Sequence, residues 1–142
     1  MLMVIDIGNT NITVGIYKGD KLIGNYRLTT KMKRTSDEYG FMIMNFLTSS
    51  KVSYDQIKDV IISSVVPKIM HSFLNGIRKY MHKEPIVVGP GIKTGISVKA
   101  ENPKAVGSDR IVDAAGAFYE YGGPCLVVDF GTMTTFDYVD EK

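Results

Sequence analysis

The first thirty positions carry three mainly apolar runs broken by short polar stretches, and apolar residues recur at a helical period later. The first stretch predicts three strands, at residues 2–7, 12–17 and 21–28, rich in β-branched and aliphatic side chains. The polar stretches Gly8-Asn9-Thr10-Asn11 and Lys18-Gly19-Asp20 separate them. Connections this short make antiparallel neighbours, because a parallel pair needs a crossover of about a dozen residues or more. The chain therefore opens as a meander. Thr35, followed three positions later by Glu38, has the form of a capping box and predicts a helix from there to about Thr48. Residues 60–66 are continuously apolar or small, as in a buried strand, and Pro67 suits the first turn of a second helix. Ile69, Met70, Phe73, Leu74, Ile77 and Met81 give that helix one apolar face.

Residues 86–88 form a further short strand beside Pro85 and Gly89-Pro90-Gly91, and residues 95–98 an extended stretch. Asn102-Pro103 caps a turn. Ala-rich residues 111–121 predict a third helix, ended by Gly122-Gly123-Pro124. A fresh hairpin follows, with strands at 125–130 and 135–139 around Gly131-Thr132-Met133-Thr134. Its form repeats the opening of the chain: Asp6-Ile-Gly-Asn-Thr and Asp129-Phe-Gly-Thr-Met are each an apolar strand ending in Asp-x-Gly, a polar turn and a returning strand, 123 positions apart. One recurrence at that period predicts a duplicated fold of about 250 residues. The expected organisation is one complete half in residues 1–102, then a linking helix and the opening hairpin of a second half in residues 103–142. That hairpin should lack partners for its apolar face, since two strands alone are marginal in water.

Composition narrows the function classes. The 142 residues are 44% hydrophobic and 23% charged, which excludes a disordered or fibrous chain. A formal net charge of +2 falls far short of the basic field on which nonspecific nucleic-acid binding relies, so no nucleic-acid partner is expected. The single cysteine, Cys125, cannot close an intrachain disulfide, and no Cys/His cluster has metal-finger spacing. With no basic leader and no apolar run near 18 residues, the expected setting is the cytoplasm, away from membranes.

Three segments carry candidate chemistry. The turn after Asp6 sets a carboxylate beside small residues and backbone N–H groups, an arrangement that can approach a phosphate and hold Mg²⁺ directly or through water. There is neither a Walker loop nor a G-x-G-x-x-G fingerprint. An ordinary hairpin accounts for the first turn taken alone; the second matching turn shifts the balance towards phosphate. Gly107-Ser108-Asp109-Arg110 heads the Ala-rich helix, where unpaired N–H groups favour an anion, Arg110 can clasp a carboxylate, and Asp109 can take a proton from a hydroxyl. A capped helix start with a solvated Arg is the plain alternative. His71 and His82 read as helix-surface residues, Lys31, Lys33 and Arg34 as a solvated run, and Cys125 and the methionines at 42, 44, 70 and 81 as packing.

In order and spacing, Asp6-x-Gly-Asn-Thr, Asn102-Pro103 leading to Gly107-Ser108-Asp109-Arg110, and Asp129-Phe-Gly-Thr-x-Thr-Thr-x-Asp137 resemble the type III pantothenate kinases. These belong to the acetate and sugar kinase, Hsp70 and actin superfamily. The resemblance implies an α/β, actin-like ribonuclease-H-type fold, with a mixed five-stranded sheet and helices, as the first half of a duplicated architecture. It implies ATP-dependent phosphorylation of pantothenate to 4′-phosphopantothenate, the first step of coenzyme A biosynthesis, by a homodimer using Mg²⁺ and a monovalent cation, K⁺ or NH₄⁺. By position, Asp6, Ile7, Gly8, Asn9, Thr10, Asn11, Ile12 and Thr13 would form the first phosphate loop, with Asp6 orienting Mg²⁺, and Thr132 would touch ATP. Gly107, Ser108, Asp109 and Arg110 would bind pantothenate, Asp109 as general base, while Asp129 would help hold the monovalent cation. Ala100 stands where many members carry a Tyr, and Met133 where a small Ala is usual. Members run to about twice one half, so an incomplete enzyme is expected here. The alternative is a non-catalytic regulatory member, like the Bvg accessory factors, against which the retained Asp6, Asp109 and Asp129 argue.

Overall fold

The computed structural model describes all of residues 1–142, which divide into two compact units, Met1–Val87 and Val88–Lys142. The first unit is a mixed five-stranded sheet with two helices. Strands β1 (Leu2–Ile7), β2 (Asn11–Lys18) and β3 (Lys21–Thr29) form the meander, with Gly19 at a φ of 59° in the second turn, a conformation that favours glycine. Helix α1 (Ser36–Ser49) leads to β4 (Asp59–Ser64), and α2 (Pro67–Met81) to β5 (Ile86–Val87). The order across the sheet is β3-β2-β1-β4-β5, antiparallel among the first three strands and parallel from β1 to β4 to β5. The mixed sheet and its helices are those expected of an actin-like half.

Period-two alternation decides which face is buried. Met3, Ile5 and Ile7 of β1 align with Ile16, Val14 and Ile12 of β2 and with Val60, Ile62 and Ser64 of β4. The apolar members of this layer pack with Tyr39, Ile43 and Leu47 of α1 and Phe73, Ile77 and Met81 of α2 into one core. Shifted by one residue, Asp6 falls on the other face, between Thr13 and Ser63.

Several boundaries differ from the sequence expectations. β4 ends at Ser64 rather than 66, because Val66 is already the N-cap of α2, and the Ser64 hydroxyl accepts the Val66 N–H at 3.1 Å. At α1 only one limb of the expected capping box is made: Thr35 Oγ1 accepts the Glu38 N–H at 3.2 Å. The reaching-back contact occurs instead at a short 3₁₀ turn, Tyr54–Gln56, where the Gln56 side chain accepts the Ser53 N–H at 2.9 Å. The stretch 95–98 is not a strand.

The second unit holds a 3₁₀ turn at Pro103–Ala105, helix α3 (Ser108–Tyr121), and a hairpin of β6 (Cys125–Phe130) and β7 (Thr134–Val139). Helix α3 starts three residues before the expected position, with Gly107 as N-cap and no capping side chain, so neither Ser108 nor Asp109 is the cap. The Gly123–Pro124 peptide is cis. No helix is long and apolar enough to cross a membrane.

Candidate functional site

In the first unit, candidate residues 6–13 occupy the end of β1, the turn and the start of β2. Ile7 and Ile12 are fully buried and pair across the ladder, so their side chains anchor the turn. Asp6, Asn9, Thr10 and Asn11 are exposed, and Gly8 and Thr13 half-buried. The turn lies at the C-terminal end of the parallel pair β1 and β4, the edge where open α/β sheets bind ligands. It is tied from three directions. The Gly8 N–H donates to Asn11 O at 2.9 Å, and the Thr30 N–H to Thr10 O at 2.9 Å. The Thr30 hydroxyl donates to Gly8 O at 2.7 Å. On the neighbouring strand, the Val65 N–H donates to Ile7 O at 3.0 Å. Thr30 was not legible as a site residue, because its partners are main-chain carbonyls 20 and more positions away.

In the second unit, Asp109 stands in the first turn of α3, where its charge favours the helix dipole. Its Oδ1 accepts the Arg110 N–H at 2.9 Å. Arg110 turns its guanidinium onto Asp137 of β7, with Nε donating to both carboxylate oxygens at 3.0 Å and Nη2 donating to Oδ1. This hydrogen-bonded carboxylate raises the pKa of Arg110 further above its already high value. Arg110 is thus engaged within the chain, and sequence reasoning did not single out Asp137 as its partner.

The second Asp-x-Gly turn repeats the first in sequence but not in register. Four residues separate the closing pair Ile7 and Ile12, whereas three separate Phe130 and Thr134. A one-residue change reverses the face of every later side chain. Asp6 therefore lies opposite Thr13, but Asp129 lies opposite Thr135, and Phe136 faces away with Val128. The Asp129 carboxylate curls over its turn, its oxygens at 3.5 and 4.0 Å from where a Cβ on Gly131 would stand. Thr132 and Met133 are exposed at the tip.

A cavity of about 540 Å³ lies within this unit, between residues 95–100, α3 and the end of β7. Ile96, Val98, Ala100, Ile111 and Phe118 are among its apolar lining, and the Arg110–Asp137 pair among its polar lining. Nowhere do three His, Cys, Asp or Glu side chains gather around one point. Asp6 and Asp129 are each single exposed oxygen donors. They suit a hard cation whose other ligands come from phosphate and water, and not one caged by protein alone.

Residues 2–142 match the family model described as type III pantothenate kinase. Proteins named type III pantothenate kinase are 56% identical over 142 residues in Bifidobacterium longum subsp. infantis, 55% over 142 residues in Agathobacter rectalis, and 52% over 141 residues in Listeria innocua. These alignments cover 99–100% of this chain and 54–56% of each relative, so the chain spans about half the length of the relatives it matches. With that agreement over its whole length, the chain belongs to the type III pantothenate kinase family.

Proposed function

We propose that this chain is the first half, with the opening hairpin of the second, of a kinase that transfers the γ-phosphoryl group of ATP to the primary hydroxyl of pantothenate. The product is 4′-phosphopantothenate, which begins coenzyme A biosynthesis. The observation that carries this reading is the anchored turn after Asp6, at the ligand-binding edge of the sheet, in a chain similar throughout to proteins named for this activity.

The turn of residues 6–13 receives the phosphates, and Asp6 is the residue to hold Mg²⁺, directly or through water. Mg²⁺ supplies charge neutralisation on the transferring group. Gly107 to Arg110 face pantothenate. Asp109 accepts the proton as the hydroxyl oxygen bonds to the γ-phosphorus and the bridging oxygen leaves with ADP. Its Oδ1 already takes the Arg110 N–H, which leaves Oδ2 for that proton. Arg110 has committed its Nε–H and one Nη2–H to Asp137, so the Nη1 group and the second Nη2–H are the donors left for a substrate carboxylate. Asp129 suits a monovalent cation, K⁺ or NH₄⁺, and Thr132 the ATP phosphates. Most of the catalysis in such a transfer is positioning and charge stabilisation, which demands both walls of a closed cleft. The 142 residues hold the elements of one wall and only the first hairpin of the other, and the complete kinase is expected to be a cytoplasmic homodimer.

The test is pantothenate-dependent ADP release by this chain alone, by this chain with the remaining half supplied as a separate polypeptide, and by the joined protein. Turnover is expected only when both halves are present. Asp109→Asn in the joined protein should lose about 10²- to 10⁴-fold in rate while keeping nucleotide affinity. Joined protein that releases no ADP with pantothenate, or an Asp109→Asn variant within about threefold of the original rate, would overturn the assignment.

A further inference from the structure

We propose that Thr30 is a positioning residue for phosphate: its hydroxyl sets the direction of the Gly8–Asn9 peptide, so that the first turn offers an anion an N–H and not a carbonyl oxygen. This rests on the phosphate reading of residues 6–13.

Thr30 follows the last residue of β3 and is only 5% exposed. It grips the turn twice. Its N–H donates to Thr10 O, which continues the β2–β3 pairing by one step, and its hydroxyl donates to Gly8 O at 2.7 Å. The first bond comes from the main chain and survives any substitution other than Pro. The second belongs to the side chain alone. In a planar trans peptide the C=O and the following N–H point in opposite directions. Drawing Gly8 O onto Thr30 therefore aims the Asn9 N–H to the other side of the turn. Glycine has no Cβ to resist rotation of that peptide, so the hydroxyl is the group that selects its direction. The selection matters because a ring of N–H dipoles attracts an anion, whereas a carbonyl turned the same way repels it.

Thr30→Val deletes the hydroxyl and keeps the β-branched shape. Gly8 O is then left without its donor in a half-buried place, a cost the peptide relieves by rotating towards solvent. Thr30→Ser keeps the donor. The experiment uses the ¹⁵N-labelled 142-residue chain and two readouts. The residual dipolar coupling of the Asn9 N–H reports the peptide direction without any ligand, and titration with inorganic triphosphate, followed at the amides of residues 8–11, reports binding. Thr30→Val is expected to change the Asn9 coupling, leave those of β1 and β4 intact, and weaken triphosphate about 5- to 10-fold. Thr30→Ser should match the original chain in both. An unchanged Asn9 coupling in Thr30→Val overturns the proposal. So does triphosphate binding within about twofold of the original despite a changed coupling. If Thr30→Val disturbs the strand couplings, the Ser variant decides: loss of the Asn9 coupling there, with intact strands, also overturns it. Amides in the original chain that ignore triphosphate overturn the phosphate reading of the turn itself, a result distinct from binding that is indifferent to Thr30.

Discussion

The Arg110 guanidinium of α3 lies against the Asp137 carboxylate of β7, Nε at 3.0 Å from each oxygen with Nη2 donating to one of them. Asp137 is the more enclosed partner, its side chain 19% exposed against 38% for Arg110. The pair ties the helix to the returning strand of the hairpin within the second unit. Arg110→Ala and Asp137→Ala should each destabilise this unit. Because Arg110 is more than a third exposed, the coupling in a double-mutant cycle should be discounted to about 1 kcal/mol. Arg110→Lys should recover less than half of it, since an ammonium cannot reproduce the fork. Thermal melts of the four proteins of the cycle give the coupling directly; a value near zero would mean that the pair forms without stabilising.

That pair also marks how far the sequence could be read. The meander and the last hairpin were legible in β-branched runs and turn residues, α1 in its capping residue Thr35, and α2 in its apolar face. Helix α3 begins earlier than its pattern suggests because Ser108, Asp109 and Arg110 are polar, so apolar spacing starts only at Ile111. The Asp-x-Gly turns were visible as motifs, but their one-residue difference in register was not, since it depends on turn geometry and not on residue type. Thr30 and Asp137 act through partners more than 20 positions away, where local spacing carries no signal.

Two glycines should respond to alanine with opposite signs. A Cβ on Gly76 of α2 would stand 2.6 Å from Ser36 O and 3.2 Å from Gly40 N of α1, main-chain atoms that cannot move aside. Gly76→Ala should cost about 1–3 kcal/mol, more than the roughly 1 kcal/mol gained in helix propensity. Gly116 of α3 has nothing within 4 Å of such an atom, so Gly116→Ala should stabilise by up to about 1 kcal/mol. Urea unfolding of both variants checks the contrast, and equal signs would contradict it.

The same helix pair predicts an acid limb. Asp37 in the first turn of α1 accepts hydrogen bonds from Lys79 Nζ at 2.8 Å and from the Tyr80 hydroxyl at 2.9 Å, both on α2. These hold its pKa below the ordinary 3.8, Lys79 first and Tyr80 second. A carboxylate with a lowered folded pKa adds stability above its unfolded pKa and loses it as the pH falls through the folded value. Asp37→Asn should therefore be less stable than the original at neutral pH, with the difference shrinking below about pH 4. Denaturation midpoints between about pH 2.5 and 7 measure this, and a difference that widens towards acid would reverse the sign.

In the joined protein, Asp129→Ala should weaken activation by K⁺ more than it weakens pantothenate. Asp129 is an exposed carboxylate curled over its own turn, an oxygen donor of the kind a hard cation prefers. A potassium titration of the rate should move to higher concentration by about tenfold, the worth of one charged contact of roughly 1.4 kcal/mol. An unchanged midpoint would remove Asp129 from that role.

The hairpin that carries Asp129 is amphipathic in the wrong direction for a chain on its own. Cys125, Val127, Asp129, Thr135, Asp137 and Val139 share one face, the half-buried one apart from Asp129. Leu126, Val128, Phe130, Phe136 and Tyr138 share the other, where Phe130 is 83% and Tyr138 70% exposed. Large apolar side chains gathered on one exposed face mark a surface that is normally covered. The 142-residue chain should therefore bind an apolar dye or self-associate, and Phe130→Thr with Phe136→Thr should suppress both. If the remaining half of the kinase covers this face, the double variant should also weaken association of the two separate halves. Burial of an aromatic side chain contributes about 1.5–3 kcal/mol, so the loss should reach about 10²-fold or more. Association unchanged by the double variant would place the covering surface elsewhere.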